Sequence, residues 1–265
     1  VSFKVFGQNY QCRLLDKNYN QNNLDIDFAI EYDSNSKTNT SRIHLWNLAP
    51  KTLAQLEEGI PIELRGGWEE SNGPIFLGEI LRFFTKKESH GQTRTTIYVG
   101  QDRDYWFNST ISNEWEAPVD VKEIVRDIID TTGFTLGHID PALVHKYRRP
   151  WGCSGKAHAA LKELAEDCGA EVYNEDGKIF FIRKGMTALQ TVIIESPHIL
   201  ESPQKSQKGL WKFRSILRYE GRPGTQVDLR SKFLSGEFIA TKVKHIKIDH
   251  KQFYTEWEVS TGEEE

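Results

Sequence analysis

Eight histidines and three cysteines are the residues of this chain best suited to hold a metal or to attack a carbonyl. A zinc site needs such ligands in close pairs, and neither a His-Glu-x-x-His nor a Cys-x-x-Cys occurs. His245 and His250 are the nearest pair of histidines, but their odd offset in an extended strand sends them to opposite faces. Gly152-Cys153-Ser154-Gly155-Lys156 stands before a helical pattern as a phosphate loop would. It lacks the longer spacer between glycines and the hydroxyl residue after the lysine. A helix start with Ser154 as N-cap accounts for it, and no strand-turn-helix context makes Cys153 a nucleophile. The adjacent acids Glu57-Glu58, Glu69-Glu70 and Glu166-Asp167 are ordinary on solvated turns and helices, and they single out no glycosidase pair. These residues yield no catalytic site, metal site or cofactor site, which points away from an enzyme.

Other side chains suit recognition. Tyr147, Arg148, Arg149 and Trp151, beside Lys146, form a basic and aromatic patch of the kind that binds nucleic acid or an acidic protein surface. In an acidic chain the patch reads better as a subunit or domain contact. Lys242, Lys244 and Lys247 suit either the lining of a polar channel or an edge strand guarded against aggregation. Trp46, Trp68, Trp106 and Trp115 are candidate sugar platforms, although tryptophan at such positions commonly serves a core or an interface.

Composition narrows the classes further. A net charge of −4 argues against a protein built to grip phosphate backbones, while leaving passive passage of DNA open. No apolar run approaches the roughly 18 residues of a membrane helix, so no membrane binding is expected, and the first residues carry no signal-peptide core. Cys12 and Cys168 lie in apolar patterns and read as buried thiols of a reducing compartment rather than as a disulfide.

The elements that would position these residues fall into three regions, 1–107, 108–185 and 186–265. The first is strand-like: Val1, Phe3 and Val5 alternate with other residues, as do Leu24, Ile26, Phe28 and Ile30. A short helix is expected over residues 50–58 with Gly59 as its stop, a loop over 66–74, and a hairpin turn over 89–92. In the second region Val121, Ile124, Val125, Ile128 and Ile129 share one helix face, with a start at Pro118 or Val119 and a stop at Gly133. Ala157, Ala160, Leu161, Leu164, Ala165 and Cys168 form a second helical stripe, closed by Gly169. A hairpin follows, turning over residues 174–177. The third region returns to strands over residues 191–195, 210–219, 226–230, 242–248 and 252–259. The expected fold is mainly β, with a two-helix plus hairpin α+β insert between two strand-rich ends.

The order of these features resembles a known family. Arg42-Ile43-His44-Leu45-Trp46-Asn47-Leu48 is a strand ending in Asn-Leu before a short helix. Ile60-Pro61-Ile62-Glu63-Leu64-Arg65-Gly66-Gly67-Trp68 follows, then Pro74-Ile75-Phe76-Leu77-Gly78-Glu79-Ile80 and a strand ending at Gly100-Gln101-Asp102. This series is similar to the first barrel of phage tail baseplate hub proteins, of the late-control D and contractile-tail hub family, with Trp68 where that family has an aromatic. Residues 118–124, 154–169 and the Asp176-Gly177 turn resemble its middle module. Gly236-Glu237-Phe238, Val243-Lys244-His245 and Tyr254-Thr255-Glu256-Trp257 resemble its closing strands.

The resemblance implies two small tail-tube-like β-barrels flanking the α+β insert. It implies a homotrimer whose two barrels per subunit make a pseudo-six-fold ring around a central channel. Its partners would be the tail tube or distal tail protein on one side and the trimeric spike or tail tip on the other, with DNA as a transient passenger. It would act in the virion tail, assembled in the bacterial cytoplasm. The chain is short for the family and carries no fused lysozyme or peptidase segment. A carbohydrate- or receptor-binding tail module is the alternative, and a cell-wall hydrolase the third reading.

Overall fold

The computed structural model describes residues 7–33, 41–100, 108–175, 178–183, 191–207, 209–249 and 251–261. Alternating apolar residues make the first stretch a run of strands: β1 (Gln8–Leu14), β2 (Lys17–Asn20), β3 (Ile26–Asp33), β4 (Ser41–Trp46), β5 (Pro61–Trp68), β6 (Ser71–Lys87) and β7 (Thr93–Gly100). A single helical turn, α1 (Pro50–Leu53), starts at a proline and stops well before Gly59, so the expected helix over 50–58 is shorter than its sequence suggested. The loop expected over 66–74 is a correction. β5 and β6 pair as far as Trp68↔Ser71, leaving Glu69-Glu70 as a tight turn. Gly67 permits this with a φ of 151°, and a β-carbon there would meet the Ser71 carbonyl oxygen. The expected strand at Val1, Phe3 and Val5 lies outside the described residues, as do the Asp176-Gly177 turn, His250 and Trp106.

The last stretch supplies β15 (Val192–Glu195), β16 (Ile199–Lys205), β17 (Trp211–Ile216), β18 (Gln226–Arg230), β19 (Ser235–Ile248) and β20 (Gln252–Ser260). Strand β16 had no sequence signature, because Pro203 and two register shifts break its alternation. All these strands join one sheet of order β16-β17-β20-β19-β3-β4-β7-β6-β5-β1-β2, with β18 beside β19 and β15 parallel to β18. Among the described residues no ladder closes the sheet into a ring, so mainly-β architecture is observed and closed barrels are not.

The seam between the two terminal stretches is the antiparallel pair β3–β19, in register from Lys242↔Asp33 to Lys247↔Phe28. Residues 1–101 and 189–265 accordingly cluster as one compact unit, and residues 102–188 as another. Two cores sit in the first unit. One gathers Cys12, Leu14, Phe28, Ile43, Leu64 and Ile75 with Ile216, Leu217 and Phe253 from the last stretch. The other gathers Val192, Phe213, Leu229, Val243 and Trp257. Each fully buried Leu, Ile or Phe contributes about 1.5–3 kcal/mol, so one substitution in either core is felt.

The second unit contains β8 (Thr110–Trp115), β9 (Val119–Asp120), α2 (Val121–Thr132), β10 (Thr135–Ile139), β11 (Lys146–Tyr147), β12 (Trp151–Lys156), α3 (Ala157–Asp167), β13 (Ala170–Glu175) and β14 (Lys178–Arg183). Asp120 caps α2 by accepting from the Lys122 amide, and Gly133 ends it at a φ of 72°. Val121, Ile124, Val125, Ile128 and Ile129 bury one stripe, as their spacing predicts. Ser154 is not the N-cap of the second helix. It lies in β12, paired with Ser112, and α3 starts after Lys156 without a side-chain cap.

Candidate functional surfaces

Among the described residues no group of three His, Cys, Asp or Glu side chains gathers as a metal site would. Arg222 is buried and donates a dense set of hydrogen bonds. Its guanidinium donates to the carbonyls of Tyr219, Gly221, Pro74 and Ile75 at 2.9, 2.7, 3.1 and 2.9 Å. It lies over the Tyr32 ring at 4.6 Å, and the Tyr32 hydroxyl donates to the Ile75 carbonyl at 2.8 Å. His245 stands beside it, 0% exposed, with ring nitrogens near Thr255 Oγ1 and the Gly221 carbonyl. Burial, then the Arg222 charge, push its pKa down to about 3 despite the Gly221 carbonyl. It is a neutral core histidine. The cluster clamps strands from both ends of the chain together.

The edge-strand reading of the β19 lysines is a correction. β19 pairs with β3 on one side and with β20 on the other, so it is an interior strand. Lys247 points inward, 1% exposed, with its ammonium 3.1 Å from Asp27 and 4.6 Å from the Tyr10 ring centroid. Lys242 and Lys244 point outward and meet Glu31 at 2.6 and 3.5 Å. Burial raises the Glu31 carboxyl, but hydrogen bonds and charge from these lysines outweigh it and hold the group below the usual carboxylate range.

The outward face is ordered by strand. Residues opposite one another in antiparallel ladders share a face. One row therefore runs Glu201, Arg214, Glu256, Lys244, Glu31 across β16, β17, β20, β19 and β3. The next runs Gln204, Lys212, Glu258, Lys242, Asp33. Acidic strands alternate with basic ones, and the Arg214–Glu256, Lys212–Glu258 and Lys242–Glu31 pairs close at 2.9, 2.9 and 2.6 Å. Exposed pairs add at most about 1 kcal/mol each, so this half of the face fixes strand register more than it stabilises.

Beyond β3 the pattern changes. On β4, β7 and β6 the rows are Arg42–Tyr98–Arg82, His44–Thr96–Phe84 and Trp46–Arg94–Lys86. Arg94 pairs with Glu88 at 2.7 Å. Arg82 lies on the Tyr98 ring at 4.2 Å and Arg94 over Trp46 at 5.6 Å, so these two rings are already covered by cations.

The other aromatic candidates are also engaged. Trp46 donates to Asp27 at 2.9 Å, Trp68 is buried and donates to the Leu217 carbonyl at 3.1 Å, and Trp115 donates to Asp127 at 2.9 Å while packing on Trp151. Of the patch in the second unit, Trp151 is buried and Tyr147 half-buried, its hydroxyl donating to Asp167 at 2.7 Å. Burial, then the Asp167 carboxylate, raise the Tyr147 pKa. Arg148 and Arg149 are exposed. The structure thus splits the expected patch: two aromatics anchor the unit and two arginines face outward. Cys12 is buried, and burial, then the Glu63 charge, push its thiol up to about 12. Cys153 and Cys168 are half-buried, and all three thiols are free.

No protein-family model matches the chain, and no curated protein matches it in sequence. Solved structures do. The 43 kDa tail protein of prophage MuSo2 from Shewanella oneidensis superposes with a TM-score of 0.66 at 10% identity, covering 97% of this chain and 98% of that one. The tail protein from Neisseria meningitidis MC58 gives 0.62 at 10% identity, with 96% of each chain covered. The Escherichia coli c3393 protein, a component of the type VI secretion system with structural similarity to the T4 tail proteins gp27 and gp5, gives 0.56 at 10% identity, covering 90% of this chain and 74% of that one. The fold is that of phage tail proteins, and the similarity stands at the level of structure.

Proposed function

We propose that this protein is a structural hub or adaptor of a phage tail or tail-like particle. In this reading it joins the hexameric tail tube to the trimeric spike or tail tip, around a central channel that DNA crosses without being held. The observation that carries it is the end-to-end superposition on prophage tail proteins, which takes in both strand-rich stretches and the insert between them. Two lobes, 1–107 and 186–265, each with apolar residues of its own and flanking the 108–185 insert, would serve as the two barrel-like copies per subunit. Three subunits would then present six related surfaces to the tube and three to the spike. Exposed Arg148 and Arg149 are subunit or domain contacts in this arrangement, held in place by the anchored Tyr147 and Trp151. Its work is assembly, with no bond made or broken, and its place is the virion tail.

The test is direct. Sedimentation of the purified chain, alone and with its tube and spike neighbours, should give trimers, and negative-stain images should show rings with a central hole. A chain that stays monomeric with those neighbours present, or is missing from purified particles, refutes the reading.

A further inference from the structure

Strand β6 outruns its neighbour. β5 pairs with it no further than Pro61↔Glu79, whereas β7 follows it on the other side to Lys87↔Thr93. The turn before β5 closes on Ile80 alone, through the Gly59 amide to the Ile80 carbonyl and the Ile80 amide to the Ile60 carbonyl. Among the described residues no strand pairs the second edge of residues 81–87. All of these but Phe83 are exposed. Such an edge carries unpaired backbone donors and acceptors and can accept another strand.

The side chains beside that edge are not those of a merely guarded one. Lys86, Lys87 and the register shift between Ile80 and Arg82 are common defences against stray pairing. Leu77, Leu81 and Phe84 on the same strand are nonetheless 41%, 48% and 49% exposed, and a defence has no use for them. Leu81 lies over Gly100, where a β-carbon would meet its side chain.

Charge then says what kind of strand would fit. Across the rest of this face, basic strands flank acidic ones: β17 and β19 carry Lys212, Arg214, Lys242 and Lys244, and β16, β20 and β3 answer with Glu201, Glu256, Glu258, Glu31 and Asp33. Beyond β3, on β4 and β6, Arg42, Arg82 and Lys86 have no carboxylate within ion-pair distance among the described residues. Covered Tyr98 and Trp46 offer no free ring for a nucleic-acid base, and exposed leucine and phenylalanine offer nothing to a phosphate.

We infer that the open edge of β6 at residues 81–87 is a strand-addition site for a partner protein. The strand it takes carries carboxylates at alternate positions to meet Arg82 and Lys86, and it covers Leu81 and Phe84. This deepens the assembly reading and rests on it for the partner's nature, but the site can be tested on the isolated chain.

The probe is a synthetic peptide with the sequence of Gln252–Ser260, which already pairs with a basic strand inside this protein. Titrated into the whole folded chain at low salt, it should bind saturably and slow exchange of backbone amides between Leu81 and Lys87. A control peptide with lysine in place of Glu256 and Glu258 should bind at least tenfold more weakly. In the protein, the Arg82→Glu and Lys86→Glu pair should weaken binding by a similar factor while leaving the circular dichroism spectrum unchanged. Phe84→Ser, which keeps every charge, should also weaken it.

Equal binding of both peptides, binding without amide protection at residues 81–87, or no binding at all would overturn the inference. So would tighter binding of a 20-base-pair DNA duplex than of the acidic peptide, or self-association of the chain abolished by Arg82→Glu, since each assigns the edge to another occupant. Loss of trimers or rings with peptide binding intact would sink the assembly reading and leave the site standing.

Discussion

Removing the Asp27 carboxylate probes the seam of the fold. Asp27 accepts three hydrogen bonds, from Lys247 at 3.1 Å, the Asp249 amide at 2.9 Å and the Trp46 indole at 2.9 Å. Lys247 is 1% exposed. Asp27→Ala therefore leaves a buried ammonium without its carboxylate, against the Tyr10 ring. Breaking a buried pair from one side costs about 3–5 kcal/mol. For a chain of this size that lowers the melting temperature by about 6–20 °C, at about 2–4 °C per kcal/mol. Lys247→Met on its own costs less, about 1–3 kcal/mol, because Asp27 keeps two donors. The double variant, Asp27→Ala with Lys247→Met, should lose less than the two single losses summed, since no charge is left unpaired, while the Trp46 and Asp249 donors still lack their acceptor. Urea denaturation followed by tryptophan fluorescence and by circular dichroism measures all three. Strictly additive single losses, or an Asp27→Ala loss below about 1 kcal/mol, would show that the pair is solvated and adds little to the seam.

Three further outcomes are expected. Arg222→Lys should cost several kcal/mol, about 1–3 for each carbonyl left unsatisfied, because a lysine cannot reproduce four diverging donors. Calorimetry of that variant should show a lowered transition for the unit formed by both chain ends. His245 has a folded pKa of about 3 against an ordinary 6.5, so its contribution to stability is complete above pH 6.5. It declines as pH falls towards 3; proton NMR should show its ring neutral at pH 5, and His245→Gln should flatten the stability profile between those limits. Cys12, with its thiol pushed up to about 12, should resist iodoacetamide at pH 8 in the folded chain and react once urea exposes it.

The helices and most strands were legible because their apolar spacing is regular: the stripe from Val121 to Ile129 and the alternation from Ile26 to Ile30 need nothing but local pattern. Strand β16 was not legible, since Pro203 and its bulges erase the period. The tight turn at Glu69-Glu70 was hidden by a glycine-rich stretch that looks like a loop and proves to be close backbone packing. Lys242, Lys244 and Lys247 were recognisable as a set, but their roles depend on which strands lie either side of β19, and no local pattern records a pairing with residues 28–33. The same holds for Arg222. Its surroundings look like a turn, Gly221-Arg222-Pro223-Gly224, and its importance comes from carbonyls some 147 residues away in sequence. The Tyr147–Trp151 patch was visible as a cluster, but burial alone separates its anchors from its outward arginines.

The β3–β19 ladder also sets an order of events during synthesis. β3 is made early, and its partner comes only after the whole 102–188 unit has been translated. At about 5–20 residues per second, the nascent β3 waits for about 10–40 s with one edge open and Ile26, Phe28 and Ile30 short of their final cover. The insert can fold during that wait, and β19 then pairs with β3 and β20 to complete the sheet. Ribosome-associated chaperones would meet this protein as an unfinished half-sheet with an unpaired strand edge.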